Sequence, residues 1–225
     1  MKKNTQNGGN LEYTTVLFDL DGTLVDSGIG VTNSVAYALR SFGIEPPPRQ
    51  ELFKFIGPPL TVSFRDFCGF DSEQTTLAIK SYREYYAEKG ILECTMYDGT
   101  EKLLKSLKQK GYRLGLATSK PEIFATRVVA NKGIDKYLDF VAAATTDEKT
   151  RATKEAVIEY ALSICGEDDI SKILMVGDRH FDINGAATFG IDAVGVTFGY
   201  GSYEELKTAG AKYIVSSMQE LDTLL

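Results

Sequence analysis

The chain has 225 residues, of which 43% are hydrophobic and 25% are charged, a balance typical of a globular protein with a sizeable core. Its 25 basic and 31 acidic residues give a net charge of −6, which argues against a general nucleic-acid partner. Three cysteines (Cys68, Cys94 and Cys165) without a CxxC pair, together with one histidine, argue against a structural zinc site.

The first twelve residues are polar and contain no apolar stretch, so they do not form a secretory signal. We expect a disordered leader over residues 1–12. No run in the chain approaches 18 apolar residues, so we expect no membrane-spanning helix and no membrane partner. The sparse, odd number of cysteines favours a reducing compartment and predicts a cytoplasmic protein.

Short apolar runs rich in β-forming residues alternate along the chain with segments of helical periodicity. The predicted strands are residues 15–18, 112–117, 140–144, 173–176, 193–197 and 213–215. The predicted helices between and after them are residues 100–110, 122–132, 154–164, 181–189 and 218–224. Nearly continuous apolar strands that alternate with helices are typical of a parallel sheet covered on both faces. The sequence therefore predicts an α/β, doubly wound, Rossmann-like fold.

The stretch from residue 27 to residue 93 departs from this alternation, because it has helical patterns and no convincing strand. Helices are predicted at residues 31–42, 50–55, 60–67 and 73–89, and proline-rich turns separate some of them. We therefore predict a core domain of residues 13–26 and 94–225. A small helical domain, residues 27–93, is inserted into it, and we refer to these residues below as the helical insertion.

Two acidic residues, Asp19 and Asp21, come directly after the first predicted strand and are followed by Gly22. In doubly wound sheets ligands bind beyond the carboxyl ends of the strands, and side chains at i and i+2 of an extended segment point the same way. Like charges that close repel, so a functional pair needs a cation or a raised pKa. The glycine spacing does not fit an EF-hand loop, whereas a DxD metal site or a structural turn of solvated acids stays open.

Hydroxyl residues follow a second predicted strand, at Thr118 and Ser119, and Pro121 suits the first turn of the next helix. Hydroxyl and free backbone N–H groups at such a junction can hold a phosphate, although either residue could equally be a plain helix cap. Three basic residues further along the chain are candidates for a phosphate-binding base by position alone. They are Lys149, Arg151 and Lys154.

A further predicted strand runs into Gly177 and two acidic residues, Asp178 and Asp182. If a helix begins there, acids four positions apart could share a face, and Asp178 could meet the first acidic pair across the sheet. Either acid could instead only cap the helix. For His180, which lies between them, we expect a loop or surface position, because no partner motif surrounds it.

The set of strand ends that carry Asp-x-Asp, Thr, Lys and Gly-Asp-x-x-x-Asp in this order resembles the haloacid dehalogenase superfamily. The resemblance covers residues 14–225, with the helical insertion at the usual place of a type 1 cap domain. Its most specific motifs are residues 18–27 and 176–182. Residues 55–60, 117–121 and 199–202 resemble signatures of the phosphoglycolate phosphatase-like branch.

The resemblance implies a phosphatase in which Asp19 attacks phosphorus and forms an aspartyl-phosphate. Asp21 would protonate the leaving alcohol and then take a proton from the attacking water. Thr118 and Lys154 would bind the transferring phosphoryl oxygens. The same resemblance places Gly22, Thr23 and Ser119 among the substrate-binding residues.

The resemblance also implies Mg²⁺ as the cofactor. Asp19, the backbone carbonyl of Asp21 and Asp178 would hold the ion, and Asp182 would anchor that shell. Basic residues of the helical insertion are candidates to bind an anionic tail of the substrate, although each could equally lie on the solvated surface. They are Arg49, Lys54 and Arg65.

The implied partner is a small phosphorylated metabolite such as phosphoglycolate, and the implied assembly is a monomer or a homodimer. A nucleotidase, a pyrophosphatase or a phosphomutase of the same superfamily stays open, although the helical insertion contains no histidine, which counts against a mutase. A different class, a non-catalytic phospho-aspartate signalling module, is disfavoured by the chain length and by the insertion.

Overall fold

The computed structural model describes residues 13–147 and 149–225 of the chain. The leader predicted for residues 1–12 lies outside these ranges. Among the described residues, no helix is both long enough and apolar enough to cross a membrane.

Eight strands lie within the described residues, and six of them form one parallel sheet. The strands are β1 (Thr15–Phe18), β2 (Val25–Asp26), β3 (Thr95–Met96), β4 (Arg113–Pro121), β5 (Phe140–Ala144), β6 (Ile173–Gly177), β7 (Asp192–Val196) and β8 (Tyr213–Val215). The order of strands in the large sheet is β5-β4-β1-β6-β7-β8, and β2 pairs with β3 in antiparallel fashion. The first strand along the chain therefore lies in the middle of the sheet, between β4 and β6.

Ten α-helices surround this sheet in the described part of the chain. They are α1 (Gly28–Ser41), α2 (Arg49–Leu52), α3 (Leu60–Cys68), α4 (Ser72–Tyr85), α5 (Thr100–Gln109), α6 (Glu122–Asn131), α7 (Lys154–Cys165), α8 (His180–Thr188), α9 (Tyr203–Thr208) and α10 (Met218–Leu224). Short 3₁₀ turns occur at Phe53–Phe55, Asp135–Tyr137 and Ile170–Lys172, and a π-type turn at Tyr86–Gly90 follows α4.

Both faces of the sheet are covered, as the apolar strands predict. Side chains of β1 alternate between the two faces, so Val16 and Phe18 lie in one hydrophobic cluster and Leu17 lies in the other. Helices α5, α6 and α10 pack on the first face, and α7, α8 and α9 pack on the second. The doubly wound α/β fold is therefore confirmed.

Every predicted strand and helix is present, with bounds that differ by a few residues. Strand β4 is longer than predicted and continues to Pro121. The helix predicted over residues 50–55 divides into α2 and a 3₁₀ turn, and that predicted over residues 73–89 ends as a π-type turn. Helix α9 and the two short strands β2 and β3 were not predicted.

The two short strands lie where the chain enters and leaves the helical insertion. Val25 pairs with Met96 and Asp26 pairs with Thr95, so the two connections between the core and the insertion run side by side. This pairing supports the predicted boundaries of the core and the insertion, which stay a prediction. Within the insertion, α1 passes so close to the π-type turn that a Cβ on Gly30 would overlap the carbonyl oxygen of Gly90.

We expect the Gly30→Val substitution to lower the free energy of unfolding by roughly 1–3 kcal/mol, because the new side chain meets backbone that cannot turn aside. Glu84→Val is the matched control, since it places the same side chain at an exposed position of α4 and should change the free energy by at most about 0.5 kcal/mol. Urea unfolding measures both values. Equal losses in the two variants would contradict the close packing at Gly30.

Candidate active site

The carboxyl ends of β1, β4 and β6 meet at one edge of the sheet, and the predicted site residues gather there. Asp19 follows β1, Thr118 lies near the end of β4, and Asp178 follows β6. The parallel register places Phe18 beside Leu116 and Val176, so the residues after these positions emerge together. All three site residues are buried.

Lys154 is the basic residue that reaches this edge. Its Nζ donates hydrogen bonds to Asp19 Oδ1 at 2.8 Å and to the carbonyl oxygen of Ala117 at 2.9 Å. The same nitrogen lies 2.8 Å from Asp182 Oδ1 and forms an ion pair with that carboxylate. Burial raises the pKa of Asp19 to about 6, and the Lys154 ammonium acts against that rise.

The other two basic candidates are engaged elsewhere or contribute only backbone. Arg151 donates to Glu122 Oε2 at 3.1 Å, and its guanidinium lies over the ring of Tyr160. The backbone N–H of Lys149 donates to Asp147. The geometry therefore supports the prediction of Lys154 over Lys149 and Arg151.

Asp178 lies in a cradle of backbone and small residues. Its Oδ2 accepts a hydrogen bond from the Tyr200 N–H at 2.7 Å, and Thr23 Oγ1 lies 3.5 Å from Oδ1. A Cβ on Gly22, whose φ is +90°, or on Gly199 would overlap this carboxylate. Gly22 and Thr23, which were predicted to bind substrate, therefore lie against Asp178.

Lys120 is a further buried lysine at the same edge, and the sequence interpretation did not assign it a role. Its Nζ donates to Asp21 Oδ2 at 2.6 Å, and its side chain is only 6% exposed. Burial acts to lower the pKa of Lys120, but the Asp21 carboxylate outweighs it and the pKa lies above its usual range. The strand predicted to end at residue 117 continues to Pro121, with an irregularity between Thr118 and Pro121, so no regular sequence pattern indicated that Lys120 would face the site.

Three carboxylates at this edge can share a cation. Asp19, Asp178 and Asp182 each offer an oxygen, and these oxygens lie within 4.8 Å of one another. Burial, with the nearby Asp182 and Asp19 carboxylates, raises the pKa of Asp178 well above its ordinary value. Mg²⁺ prefers such oxygen ligands, so the donor set fits the ion that the sequence predicts.

A small cavity of about 80 Å³ lies beside Asp19, between the core and the helical insertion. From the predicted set, Asp19, Asp21, Thr118 and Ser119 line it, and Lys120 joins them. The insertion contributes mostly apolar and aromatic side chains, together with one guanidinium, that of Arg83. The lining residues from the insertion are Val31, residues 55–60, Tyr82, Arg83 and Tyr86.

The basic residues proposed earlier as readers of the substrate tail do not line this cavity. Arg65 pairs with its neighbour Asp66 and is 64% exposed, and Arg49 donates to Asn33 at the surface. Lys54 lies over the ring of Phe67. Arg83 is the residue of the insertion whose position fits that role, and a lone arginine in a helix gave no sequence signal for it.

A polar bridge beside Asp178 joins the core to the helical insertion. Arg179 Nη1 donates to the carbonyl oxygen of Ile56 at 2.9 Å, and its Nε donates to Glu205 Oε1 at 2.8 Å. His180 Nδ1 lies 2.7 Å from the same Glu205 oxygen. His180 is thus a half-exposed member of this bridge, and it does not line the cavity.

The chain is similar to known proteins over most of its length. A family model described as haloacid dehalogenase-like hydrolase matches residues 16–196. A relative from Pseudomonas aeruginosa named 5′-nucleotidase is 36% identical over 215 residues, 96% of each chain. A Mycobacterium tuberculosis relative named tyrosine-protein kinase PtkA is 38% identical over 187 residues, 83% of this chain and 62% of that protein. The crystal structure of a predicted phosphatase from Clostridium acetobutylicum has a TM-score of 0.90 and 46% identity, and covers 93% of this chain and 96% of that chain.

The charge of Asp178 gives a prediction about stability. Because its folded-state pKa is raised, the ionised carboxylate disfavours the fold once the pH exceeds the unfolded-state pKa, near 4. We therefore expect Asp178→Asn to increase the free energy of unfolding of EDTA-treated protein at pH 7 and to leave it unchanged near pH 3.5. Denaturant unfolding at the two pH values measures this.

The control is Asp192→Asn, because the pKa of Asp192 is lowered by its contacts with Lys212 and Tyr13, against the effect of burial, and its loss should destabilise at pH 7. Mg²⁺ at a hundred times its Kd should stabilise the unsubstituted protein by about 2.7 kcal/mol and the Asp178→Asn variant much less. A stabilisation by Mg²⁺ that is equal in both proteins would contradict a metal at Asp178.

Proposed function

This chain is a phosphatase of the haloacid dehalogenase-like hydrolase family, and we propose that it hydrolyses a small phosphomonoester through an aspartyl-phosphate, with Mg²⁺ as cofactor. The observation that carries the proposal is the convergence of Asp19 and Asp21 on one small cavity beside Thr118. Two carboxylates at a shared cavity can divide the work of nucleophile and proton carrier.

In the first step, Asp19 attacks phosphorus and the bond from phosphorus to the leaving oxygen breaks. Asp21 gives its proton to that oxygen, so the alcohol departs neutral. In the second step, water attacks the aspartyl-phosphate while Asp21 takes a proton from it, and phosphate is released. Lys154 and the Thr118 hydroxyl would stabilise the charge on the phosphoryl oxygens.

Mg²⁺ bound by Asp19, Asp178 and Asp182 would offset the negative charge that the phosphoryl group brings to these carboxylates. The chain's own residues prepare that position. The Tyr200 N–H donates a hydrogen bond to Asp178, and the Lys154 ammonium contacts both Asp19 and Asp182.

The size of the cavity favours a small leaving group. Its volume of about 80 Å³ is well below the ~300–1,000 Å³ of pockets for drug-sized ligands. Arg83 adds a positive charge to an otherwise apolar wall, which suits a leaving group with a carboxylate or a second phosphate. Phosphoglycolate, which the sequence suggested, meets both conditions, whereas a nucleoside monophosphate needs the helical insertion to move away.

The names of the relatives suggest alternative substrates and reactions. The 5′-nucleotidase name supports a nucleoside monophosphate, and the kinase name supports phosphoryl transfer to tyrosine. A panel of phosphoglycolate, nucleoside monophosphates, pyrophosphate and sugar phosphates, with release of phosphate as readout, discriminates among them. We also propose a cytoplasmic location, supported by three free cysteines, and a monomer or homodimer.

We expect Asp19→Asn to abolish phosphate release while the protein stays folded, because the amide has nearly the same size but is a poor nucleophile. Hydrolysis of 4-nitrophenyl phosphate with Mg²⁺ is the assay, and circular dichroism is the control for folding. Activity above a few per cent of the unsubstituted protein would contradict the assignment of Asp19. EDTA should also abolish turnover of the unsubstituted protein, and added Mg²⁺ should restore it.

A second prediction concerns which ester the helical insertion selects. Arg83→Met should lower kcat/KM for esters with an anionic leaving group by about 10–100-fold and change neutral esters little, because Arg83 faces the variable part of the substrate. Arg65→Met is the matched control and should leave the preference unchanged, because Arg65 is exposed and pairs with Asp66. An equal loss for all esters in Arg83→Met would mean that Arg83 does not read the leaving group.

A further inference from the structure

Lys120 is a buried cation at the site that the proposed mechanism does not use. Its Nζ lies 2.6 Å from Asp21 Oδ2, and the two residues are 99 positions apart in the chain. Burying an ammonium group is costly unless an opposite charge compensates it, and the carboxylate of Asp21 supplies that charge. The contact also fixes one oxygen of Asp21.

The second oxygen of Asp21 is positioned differently. Asp21 Oδ1 is buried and has no hydrogen-bond partner among the described residues. Asp21 itself lines the cavity that Asp19 and Thr118 share. A carboxyl group with one oxygen held by an ammonium and the other without a protein partner is well prepared to exchange a proton at that second oxygen.

The helical insertion covers the ammonium from the other side. The ring of Tyr86 lies 4.8 Å from Lys120 Nζ and makes a cation–π contact with it. Tyr86 is itself buried, stacks on Tyr82 and meets the edge of Phe124. The ammonium therefore lies between the carboxylate of the core and an aromatic ring of the insertion, where water screens the pair little.

We propose that Lys120 is a positioning residue that holds Asp21 in the orientation for proton transfer to the leaving oxygen and from the attacking water. This inference rests on the proposed function, in which Asp21 is the acid and base. It gives the two lysines of the site different roles. Lys154 serves Asp19 and the phosphoryl group, and Lys120 serves Asp21.

The test uses leaving groups of different basicity. A 4-nitrophenolate leaves without help, whereas an alkoxide must be protonated as it leaves. In Lys120→Met, kcat/KM for an alkyl phosphate such as 2-phosphoglycolate should fall roughly 10–100-fold, a part of the 10²–10⁴-fold that general acid catalysis supplies. For 4-nitrophenyl phosphate, kcat/KM should fall much less.

The second proton transfer gives an independent readout. The attack of water on the aspartyl-phosphate also needs Asp21, so kcat for 4-nitrophenyl phosphate should fall in Lys120→Met although kcat/KM is largely retained. Rapid mixing should then show a burst of 4-nitrophenolate equal to the enzyme concentration. A lysine with a merely structural role would lower all these rates together and would give no burst.

The variant Asp21→Asn and the double variant Lys120→Met/Asp21→Asn complete the cycle, and the double variant leaves no unpaired charge that could prevent folding. If Lys120 acts through Asp21, its substitution should change the rates of Asp21→Asn by less than about threefold. An undiminished effect in that background would overturn the proposal, because Lys120 would then contact the phosphate itself. If Asp21→Asn alone left alkyl and aryl rates unchanged, the proposed function of Asp21 would fail instead.

Discussion

Four buried or nearly buried carboxylates repel one another at a single edge of the sheet, and the surrounding structure is built around that repulsion. They are Asp19, Asp21, Asp178 and Asp182. Two ammonium groups offset part of the charge, Lys154 between Asp19 and Asp182 and Lys120 beside Asp21. Two negative charges remain, which is the charge that one divalent cation neutralises. The dependence on Mg²⁺ that we propose thus has its origin in the folded protein itself, before any substrate is present.

The close packing around these carboxylates explains four of the glycines in the chain. Gly22 and Gly199 leave room for the carboxylate of Asp178, Gly201 leaves room for its backbone carbonyl, and Gly177 leaves room for Asp182. A side chain at any of these positions would displace an acid from the cluster. The loop after β7 therefore belongs to the site although none of its side chains carries the chemistry, because its backbone N–H at Tyr200 binds Asp178.

The sequence was sufficient to predict the sheet, because buried parallel strands are apolar on both faces and stand out in the chain. It also indicated which strand ends bring acids together at one edge of the sheet, since acids directly after such strands are conspicuous. It could not assign Lys120, because a lysine after an apolar run reads as the start of a helix. Burial of that lysine becomes favourable only when Asp21, 99 residues away, is folded against it.

Other differences have equally local causes. Strands β2 and β3 are two residues long, too short for any periodic pattern, and they form only because the folded core brings them together. Helix α9 is six residues long and begins after a capping serine, Ser202, in a glycine-rich stretch that favours a loop. The role that we give Arg83 depends on which face of α4 is turned toward the core, and distant packing sets that orientation.

The pairing of β2 with β3 also bears on how such a protein can change over evolutionary time. Paired antiparallel strands lie about 5 Å apart, so the two ends of the helical insertion are close together in space. Lengthening, shortening or exchanging the segment between them leaves the separation of the two ends unaltered. The core sheet and the helical insertion can therefore diversify at different rates, because the two-residue pairing of β2 with β3 is what links them at this point of the chain.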